Sequence, residues 1–523
     1  MSLTRDVTTV GSATLLSRLL GFFRDVGIAA ILGAGAMSDA YFAALQIPNL
    51  FRRLLAEGAL NAAFVPMWLR LREEEGPDAA RRFGERAFGT IFLALGLITL
   101  LCVVFAPATI HLIAPGFASD DARYHFAVEF IRLSAPYIAI AGLVAVAASI
   151  LNAEGRVGAV SIGIVVFNAV LLSAVIVVVA IGSVSTLAGD ILSFAIALAG
   201  LGQFIVIGGA LMKSPQRPRR ISFTLSQEAR RFYARAIPGV IAGGIPQLKL
   251  MAGAMVASSS PAAVSWLYYA NRLYELPLGV VSIAIAAVLA PRIASSVLAG
   301  DREAIAASQS RALEIALALA LPSAIAFATL ATPIAGGLFE RGAFGPNDTI
   351  AVAAALAAIS AGLPGHILEK VLAGISFAYE DTRTPMYAAL AGLAVATTLA
   401  LLLFPRFGHV GIAAAIAMSG WVGATALSII LWKRGWLKIH RSAWRRLPAI
   451  IFASAVMGIV ILSGNTLIAM NFSASSTAIG RIIILAAMVT AGLATYIACL
   501  HVLGIARLKD LIAAVNDRRK AES

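Results

Sequence analysis

The sequence predicts an all-α polytopic membrane protein with about fourteen transmembrane helices, each roughly 20 residues long. Of its 523 residues, 60% are hydrophobic and only 13% are charged, and the mean hydropathy is +0.88. Soluble domains contain roughly 45–50% apolar and about 25% charged residues. Because a bilayer offers no hydrogen-bond partners to the backbone, apolar segments along the whole chain indicate helices that satisfy their own backbone groups.

Apolar segments long enough to cross a bilayer recur from one end of the sequence to the other. The predicted spans are residues 7–33, 36–67, 84–111, 126–152, 158–181, 186–210, 229–256, 262–297, 303–332, 348–378, 385–405, 409–432, 447–468 and 479–505. The eighth joins two apolar stretches around Pro277. The first lacks the short apolar core and the cleavage site of a secretory signal, so we expect it to be retained as a span.

Basic residues alternate with the predicted spans. They concentrate at the N-terminus, in loops after even-numbered spans and in the tail, as in "RLREEEGPDAARRFGER", "KSPQRPRR", "KRGWLKIHRSAWRR" and "DRRKAES". Loops after odd-numbered spans contain only Arg123, Arg341 and Arg406, with Arg481 at a boundary. Cytoplasmic loops are enriched in lysine and arginine, so both termini are predicted to be cytoplasmic. The net charge of +14 then indicates topology and attraction to anionic lipid, not nucleic-acid binding.

A weak internal repeat predicts two six-helix lobes around a central cavity, followed by two C-terminal helices. The second span, "AYFAALQIPNL" to "AAFVPMW", and the eighth, "WLYYANRLYELPLG" to "AAVLAPRI", share an aromatic start with Y-x-A, an early proline and a closing apolar-x-P. Transporters are commonly built from such repeats. The predicted parts are an N-lobe at 1–212, a basic cytoplasmic linker at 213–228, a C-lobe at 229–436, a helix pair at 437–505 and a basic tail at 506–523.

The first span, in "LLSRLLGFFRDVGIAAILGAG", has one polar face. At 100° per residue, Arg18, Arg24 and Asp25 fall with Ser17 and Gly21 within an arc of about 120°, and the rest of the helix is apolar. Two arginines and one acid leave a positive charge, and charged groups within a membrane are costly, so this face predicts a hydrated cavity for an anion. The alternative is that these charges pair with neighbouring helices and fix their packing. Asp25 shares the direction of Arg18 and is expected to orient it.

The second span repeats this polar pattern. Asp39, Asn49 and Glu57 lie on the same face as Arg53, and Arg52 points about 100° to the side. Arg53 and Glu57 are four residues apart and can neutralise each other. Arg52 has no acid at that spacing, so it is the better candidate for binding an anion.

Further charged residues fall within later spans. Arg272 lies three residues before Glu275, so it can form an ion pair within its own helix or bind an anion. Lys249, Glu369 and Lys370 are also predicted to lie within the membrane. We expect these three to be structural or coupling groups.

No sequence motif indicates an enzyme, a cofactor or a metal site. A Walker loop, HExxH, a metal-spaced His and Cys cluster and G-x-S-x-G in a convincing context are all missing, and the six histidines are scattered. Cys102 and Cys499 lie far apart within apolar runs, which is typical of buried reduced thiols.

Three longer motifs carry a resemblance to a known family. The runs "SRLLGFFRDVGIAAILGAGAMSDAYFAALQIPNLFRRLLAEGALNAAFVPMW", "VSWLYYANRLYELPLGV" and "KVLAGISFAYEDTRTP" resemble the MurJ (MviN) lipid II flippases of the multidrug/oligosaccharidyl-lipid/polysaccharide exporter superfamily. The similarity runs along the whole chain. Fourteen spans, where the superfamily usually has twelve, are typical of this family.

The resemblance implies a flippase in the bacterial inner membrane. Its expected substrate is lipid II, the undecaprenyl-diphosphate-linked peptidoglycan precursor, moved from the inner to the outer leaflet. Our own hypothesis adds alternating access with the membrane potential as driving force, because an interior-negative potential favours outward movement of an anionic headgroup. Matching positions imply substrate contacts by Arg18, Arg24, Arg52, Arg272, Asn49 and Ser265, and polar cavity or gating roles for Asp39 and Glu57. The polar faces of the first two spans add Asp25 and Arg53 to the cavity or gating residues. The last two spans would hold the polyprenyl tail, and membrane lipids and other cell-wall synthesis proteins are the expected partners.

Rival functions lead to different expectations. An exporter of another polyprenyl-diphosphate-linked saccharide would share these arginines, whereas an exporter of cationic drugs would be expected to display unpaired carboxylates. An enzyme that uses polyprenyl phosphates would be expected to have a large extramembrane loop, and the loops here are short.

The resemblance also bears on sodium coupling, because the sodium site of the family requires acids in the seventh and eleventh spans. This chain offers only boundary residues such as Asp381, so no sodium site is predicted.

Overall fold

The computed structural model describes residues 3–56, 59–119, 121–182, 186–224, 227–285, 289–471 and 478–505. This part of the chain is helical, without strands. The α-helices are α1 Leu3–Leu32, α2 Ala36–Ala56, α3 Ala59–Glu74, α4 Pro77–Val104, α5 Ala106–Ile113, α6 Asp121–Ser134, α7 Pro136–Ala153, α8 Val157–Ile181, α9 Thr186–Met212, α10 Gln227–Ala257, α11 Ala263–Ala284, α12 Ala290–Ala299, α13 Arg302–Thr329, α14 Ala331–Phe339, α15 Pro346–Ser360, α16 Leu363–Ala378, α17 Arg383–Lys433, α18 Ala443–Asn471 and α19 Ala478–Val502. A 3₁₀ helix covers Pro115–Ser119.

Many of these helices can cross a membrane. Among the described residues, eight helical segments are long and apolar enough to do so, or nine if the bent pair α15 and α16 forms one span. The predicted all-α polytopic fold is therefore confirmed. The count of about fourteen stays a prediction, because several predicted spans fall on charged helices such as α1 and α2.

Predicted spans eleven and twelve are both contained in α17. Pro405 lies inside this element, and Gly408 has a non-helical backbone conformation (φ 54°, ψ −141°). Two helices therefore meet at Gly408 without an intervening loop. Since proline and glycine are the usual causes of such breaks, the bend has a local sequence origin.

The chain forms two compact units. The first runs to Ser265 and also includes Arg341–Gly345, and the second begins at Trp266 and includes the chain from Pro346 onwards. The boundary falls in the first turn of α11. The first unit therefore contains the predicted linker and α10 in addition to the predicted N-lobe, and the proposed lobe boundaries stay a prediction.

The first unit is built around α7. This helix packs against α3, α4 and α9, while α1 packs along α8. Aromatic rings fill the core, where the rings of Phe64 and Phe83 are stacked at 5.0 Å and Phe232 lies edge-on to both. Aromatic pairs add to the stabilisation from apolar burial, so this cluster joins α3, α4 and α10.

Residues 213–224, the described part of the basic linker before α10, lie against α4 and are not helical. The Glu85 carboxylate accepts hydrogen bonds from the N–H groups of Arg219 (2.7 Å) and Arg220 (3.1 Å). A Cβ on Gly89 would lie 2.1 Å from the carbonyl oxygen of Ser222, so only glycine permits this approach. The linker backbone is thus held in place while the two arginine side chains stay exposed.

The segment Arg341–Gly345 lies against the end of α1. The N–H of Ala343 donates to the carbonyl oxygen of Ala30 over 2.8 Å. Gly33, which follows α1, has a φ of +60°, and a Cβ on it would lie 2.4 Å from the Ala343 carbonyl oxygen. Gly33 therefore satisfies a left-handed backbone and a close contact together.

Gly33→Ala is expected to destabilise the protein by more than the roughly 1–2 kcal/mol that a left-handed backbone costs an L-residue, because the new methyl group also displaces the Ala343 carbonyl. Thermal unfolding in detergent measures the effect. Gly182→Ala is the matched control, since Gly182 has a φ of +67° but nothing within 4 Å of its Cβ position. Equal losses in both variants would contradict the contact with Ala343.

The second unit has α13 and α16 at its centre. Helix α16 packs against α12, α13 and α17, while α18 and α19 pack against each other, with α18 on α13 and α19 on α14. Glu340, which follows α14, forms an ion pair with Arg481 of α19 (2.5 Å). It also accepts a hydrogen bond from the hydroxyl of Thr349 on α15 (2.8 Å). The two C-terminal helices therefore form a hairpin attached to this unit.

Candidate functional site

The polar face of α1 contacts α8. Arg24 donates from Nε (2.9 Å) and Nη2 (2.6 Å) to Oδ1 of Asp25, and its Nη1 lies 3.2 Å from Oδ1 of Asn168 on α8. Asn168 also donates to the Ser17 hydroxyl over 2.9 Å. The Asp25 side chain is fully buried and that of Arg24 is 13% exposed. One arginine of the predicted face is therefore held by an acid and an amide.

The structure gives Asp25 a partner different from the expected one. The sequence assigns it to Arg18, which shares its direction on the helix, whereas the structure shows the contacts with Arg24. A long arginine side chain can cross the 100° between adjacent helical residues, and Asn168 on the neighbouring helix fixes its position. Arg18 is half-buried on the same face.

The opposite face of α1 is apolar surface, as predicted. Leu15, Leu16, Leu19 and Phe23 are 47–63% exposed. A face of this composition suits lipid contact, since in a membrane these side chains need no burial within the protein. The helix therefore separates a polar protein-facing side from an apolar outer side.

The candidate residues of α2 lie at both ends of the helix: Asp39 in its first turn, and Asn49, Arg52 and Arg53 in its last two turns. Nε of Arg52 is 3.5 Å from Oδ1 of Asn49, a long contact between two predicted ligands. Arg52, Asn49 and Arg53 are all half-buried. Glu57, the predicted partner of Arg53, lies outside the described residues, so their pairing stays a prediction.

Asp39 and Ser265, which are 226 positions apart, lie in one buried polar cluster. Both the N–H (2.9 Å) and the hydroxyl (2.6 Å) of Ser265 donate to Oδ1 of Asp39. The Ser38 hydroxyl lies 2.9 Å from that of Ser265. All three side chains are fully buried. In this conformation Ser265 therefore contacts Asp39 and is closed off from any substrate.

Arg123 completes this cluster. Its Nη1 donates to the carbonyl oxygen of Ser258 (2.8 Å) and lies 3.8 Å from Oδ2 of Asp39, and the guanidinium group covers the ring of Phe117 at 4.8 Å. The side chain is 3% exposed. Sequence reasoning did not identify Arg123 as a site residue. The available signal was its place in a loop where basic residues are rare.

In the second unit, Arg272 lies beside an acid of its own helix. Its Nη1 is 3.7 Å from Oε2 of Glu275, and the two side chains are 27% and 23% exposed. The internal pair that the spacing allowed is therefore present.

The two lysines that the sequence predicts within the membrane lie in different units. In the second unit, Lys370 donates to the Ser282 hydroxyl over 2.7 Å. In the first unit, the Lys249 side chain is buried, at 6% exposed.

Asp381, the boundary acid between α16 and α17, is engaged by several donors. Its carboxylate accepts hydrogen bonds from the Thr384 hydroxyl and N–H and from Nη1 of Arg434. Burial alone would raise the pKa of this carboxyl, but the hydrogen bonds from Thr384 and Arg434 outweigh it and lower the pKa from 3.8 to about 2. The ionised carboxylate thus connects the start of α17 to its end.

Asp381→Asn is expected to lower the melting temperature at pH 7, and the difference should shrink as the pH falls from about 4 towards 2. The folded pKa lies below the unfolded one, so this stabilisation is present above the unfolded pKa and is lost as pH falls through the folded value. Thermal unfolding in detergent at pH 7, 4 and 2.5 checks this. Asp301→Asn is the control, because Asp301 caps α13 and asparagine caps about as well. A difference that is constant across these pH values would contradict the assignment.

Comparison with known proteins places the chain in a family. The family model described as "Lipid II flippase MurJ" matches residues 28–483. The chain belongs to the MurJ family. A relative from Rhizobium meliloti (strain 1021), "Probable lipid II flippase MurJ", is 38% identical over 530 residues, which cover 100% of this chain and 98% of the relative. The resemblance read from the sequence motifs is confirmed.

Solved structures share the fold. A "Lipid II flippase MurJ, inward closed conformation" aligns with a TM-score of 0.79 at 23% identity, over 96% of this chain and 99% of that chain. An inward-facing "multidrug resistance MATE family transporter of the MOP superfamily" aligns with a TM-score of 0.64 at 14% identity, over 80% and 94%. At these identities the likeness concerns the fold alone, which the MurJ family thus has in common with MATE transporters.

Proposed function

We propose that this member of the MurJ family is a lipid II flippase, which moves the undecaprenyl-diphosphate-linked peptidoglycan precursor from the inner to the outer leaflet of the bacterial cytoplasmic membrane. Family membership over residues 28–483 is the observation that carries the proposal. The all-helical apolar fold supports it, since a carrier of this kind must cross the bilayer. The protein is a transporter, not an enzyme.

Half-buried arginines supply the chemistry that a diphosphate requires. Arg18 and Arg24 lie on α1 and Arg52 on α2, and all three are half-buried. A guanidinium group binds phosphate oxygens through two parallel charge-assisted hydrogen bonds, and it stays charged when half-buried. In our proposal these three arginines bind the diphosphate, with Asn49 as a neutral donor. Arg272, which belongs to the second unit, is proposed separately as an anion-binding residue.

Asp39 and Ser265 act in our proposal as a closed contact that another state of the transport cycle releases. Ser265 can meet substrate only when its bonds to Asp39 (2.6 and 2.9 Å) are broken. Alternating access would provide such a state, because each conformation closes what the other opens.

The membrane potential provides direction in this proposal. An interior-negative potential contributes about 2.3 kcal/mol per charge per 100 mV, which favours outward movement of an anionic headgroup and inward return of a positively charged empty site. We place both termini in the cytoplasm, since the basic loops then obey the positive-inside rule. The polyprenyl tail stays in lipid beside the hairpin of α18 and α19.

Flipping of fluorescent lipid II in proteoliposomes tests the function directly. Wild-type protein is expected to move the probe to the leaflet reached by a quencher, and faster at a potential that drives anions towards it. A polyprenyl-diphosphate with a different saccharide and a cationic dye serve as competing substrates. Transport of either competitor without lipid II movement would overturn the proposed function, and equal rates at both signs of potential would overturn the driving force.

A further inference from the structure

The internal repeat, which the sequence shows in the second and eighth spans, extends in the structure to the helices that follow them. Helices α4 and α13 are both 28 residues long, and each is followed by a short helix, α5 of 8 residues and α14 of 9. One non-helical residue joins each pair, Phe105 with φ −100° and Leu330 with φ −105°. The next α-helix is α6 in the first unit and α15 in the second. The first turns of α2 and α6 thus have counterparts in those of α11 and α15.

In the first unit, Arg123 joins the start of α6 to the start of α2. Arg123 is the third residue of α6, and Asp39 is the fourth residue of α2. Nη1 of Arg123 lies 3.8 Å from Oδ2 of Asp39, and the two side chains are 3% and 0% exposed. The pair therefore compensates two charges that water does not reach in this conformation.

The same guanidinium group holds the turn between α10 and α11. Its Nη1 donates to the carbonyl oxygen of Ser258, just after the end of α10, over 2.8 Å and lies 3.4 Å from that of Ser260. Carbonyl groups at a helix C-terminus lack partners within the helix and carry partial negative charge, so a cation is favourable there. The N–H of Gly116 donates to the Ser258 hydroxyl beside them over 2.9 Å. Arg123 thus connects the start of α6 with two other segments of the first unit.

In the second unit, the corresponding positions are also in contact. Trp266 is the fourth residue of α11, and Asp348 is the third residue of α15. Nε1 of Trp266 donates to Oδ1 of Asp348 over 3.0 Å. The Trp266 ring lies 4.8 Å from the ring of His409, whose Nε2 donates to the carbonyl oxygen of Ala351 on α15 over 2.9 Å. The start of α11 is therefore held on α15 as the start of α2 is held on α6.

The two contacts share their place in the repeat but not their side chains. One joins a guanidinium group to a carboxylate, and the other joins an indole N–H to a carboxylate. A contact that recurs at the same helix positions through different chemistry indicates that the fold needs these helix starts held together. All four helices begin even-numbered predicted spans, so in our topology these starts lie on the extracytoplasmic side.

We propose that the Arg123–Asp39 pair and the Trp266–Asp348 hydrogen bond are equivalent latches, one in each unit, that keep the transport path closed on the extracytoplasmic side. The inference deepens the proposed function and rests on it, because a flippase with alternating access must close one side while the other is open. Arg123 and Trp266 are positioning residues that hold helix starts and do not touch substrate.

Loss of a latch is expected to shift the equilibrium towards the outward-open state. Without Arg123, the Asp39 carboxylate would be buried without its cation, which is costly, so a state in which Asp39 meets water becomes more favourable. Without the Trp266 N–H, the closed state loses a hydrogen bond to a charged group. Each change acts on the closed state and leaves the open state as it was.

The reactivity of a buried cysteine beside the latches measures this equilibrium. Val264→Cys is the reporter, because Val264 is 3% exposed and lies two residues before Trp266. It is placed in the full-length chain with Cys102→Ser and Cys499→Ser, which remove the two native thiols. The purified protein in lipid nanodiscs is then labelled with a charged maleimide that does not enter the bilayer.

Arg123→Gln and Trp266→Phe are each expected to raise the labelling rate of the reporter about tenfold, the lower end of what one charged hydrogen bond contributes. Both changes in one chain are expected to raise it about a hundredfold, since independent contacts add in free energy. Trp266→Phe keeps an aromatic ring beside His409, so it tests its latch even if Arg123→Gln fails to fold. An unchanged labelling rate in the folded variants would overturn the latches.

A second reporter, Ala80→Cys, separates outward opening from general loosening of the first unit. Ala80 is fully buried at the start of α4, which lies on the cytoplasmic side in our topology. Its labelling rate should stay at the wild-type value in both latch variants. A rise at both reporters would show that Arg123 and Trp266 only stabilise the fold, which would also overturn the proposal.

Arg406→Ala and Trp421→Phe are the matched controls. Arg406 is an exposed arginine in a predicted extracytoplasmic loop, and Nε1 of Trp421 donates to the carbonyl oxygen of Ala361 over 2.9 Å. Both variants should keep the wild-type labelling rates. Labelling requires no lipid II, so failure of the wild type to move lipid II in proteoliposomes would overturn the proposed function without deciding the labelling result. Gel filtration and thermal unfolding identify variants that do not fold.

Discussion

Arg24→Ala is expected to weaken lipid II binding by about 10- to 150-fold, because a hydrogen bond to a charged group contributes roughly 1.5–3 kcal/mol. The guanidinium group of Arg24 lies between Asp25 and Asn168, which hold its planar donors in a fixed orientation. Such preorganisation lowers the entropy cost of binding a phosphate. Binding of fluorescent lipid II to purified protein measures the loss.

A double variant separates binding from packing. Arg24→Ala alone also removes the guanidinium group that the buried Asp25 contacts, and breaking a buried pair costs about 3–5 kcal/mol of stability. Arg24→Ala with Asp25→Ala removes both charges and should recover much of that stability without recovering lipid II binding. Recovery of binding as well would show that Arg24 serves only Asp25. Arg70→Ala is the control, since Arg70 is 61% exposed and pairs with Glu74 at the surface.

Asp39→Ala is expected to lower the free energy of unfolding by about 3–5 kcal/mol, the cost of removing one member of a buried charged pair. It takes away the acceptor of the Ser265 N–H and hydroxyl, and the carboxylate 3.8 Å from the buried Arg123. Three segments of the first unit meet at this carboxylate. Denaturant or thermal unfolding in detergent measures the change.

Asp39→Asn separates the contribution of the Asp39 charge to stability from the contribution of its hydrogen bonds. Its amide oxygen can still accept from Ser265, so only the attraction to Arg123 is lost, and the destabilisation should be smaller than in Asp39→Ala. Asp78→Ala is the surface control, because the Asp78 side chain is 65% exposed beside Arg81 and exposed ion pairs contribute at most about 1 kcal/mol. Equal destabilisation by Asp39→Ala and Asp78→Ala would contradict the buried cluster.

Local patterns sufficed for the all-helical fold class and for the two faces of α1. Its helical period placed Arg24 and Asp25 on one side and Leu15 and Phe23 on the other, and the structure has the acid buried and the leucine exposed. Apolar length predicted the membrane helices, because the bilayer imposes a length and a composition on each span separately. Long motifs were specific enough to identify the MurJ family.

Side-chain contacts between residues that are distant in sequence could not be predicted from these local patterns. Helical period gives a direction around one axis, but it does not say which neighbouring helix lies there. Asp39 was therefore placed in a polar arc of α2, whereas in the fold it meets Ser265 and Arg123. Asp25 was assigned to Arg18 by direction, although Asn168 on another helix decides the position of its actual partner, Arg24.

By itself, the sequence of this protein determined the membrane class, the all-helical fold class and the family. Each of these follows from local composition, from the helical periodicity of polar and apolar residues or from a continuous sequence motif. Only the tertiary structure decided which charges pair, that Ser265 is closed off by Asp39, and that Trp266 contacts Asp348. The physical reason is that an ion pair or a hydrogen bond depends on a few ångströms between side chains, and helix packing sets that distance.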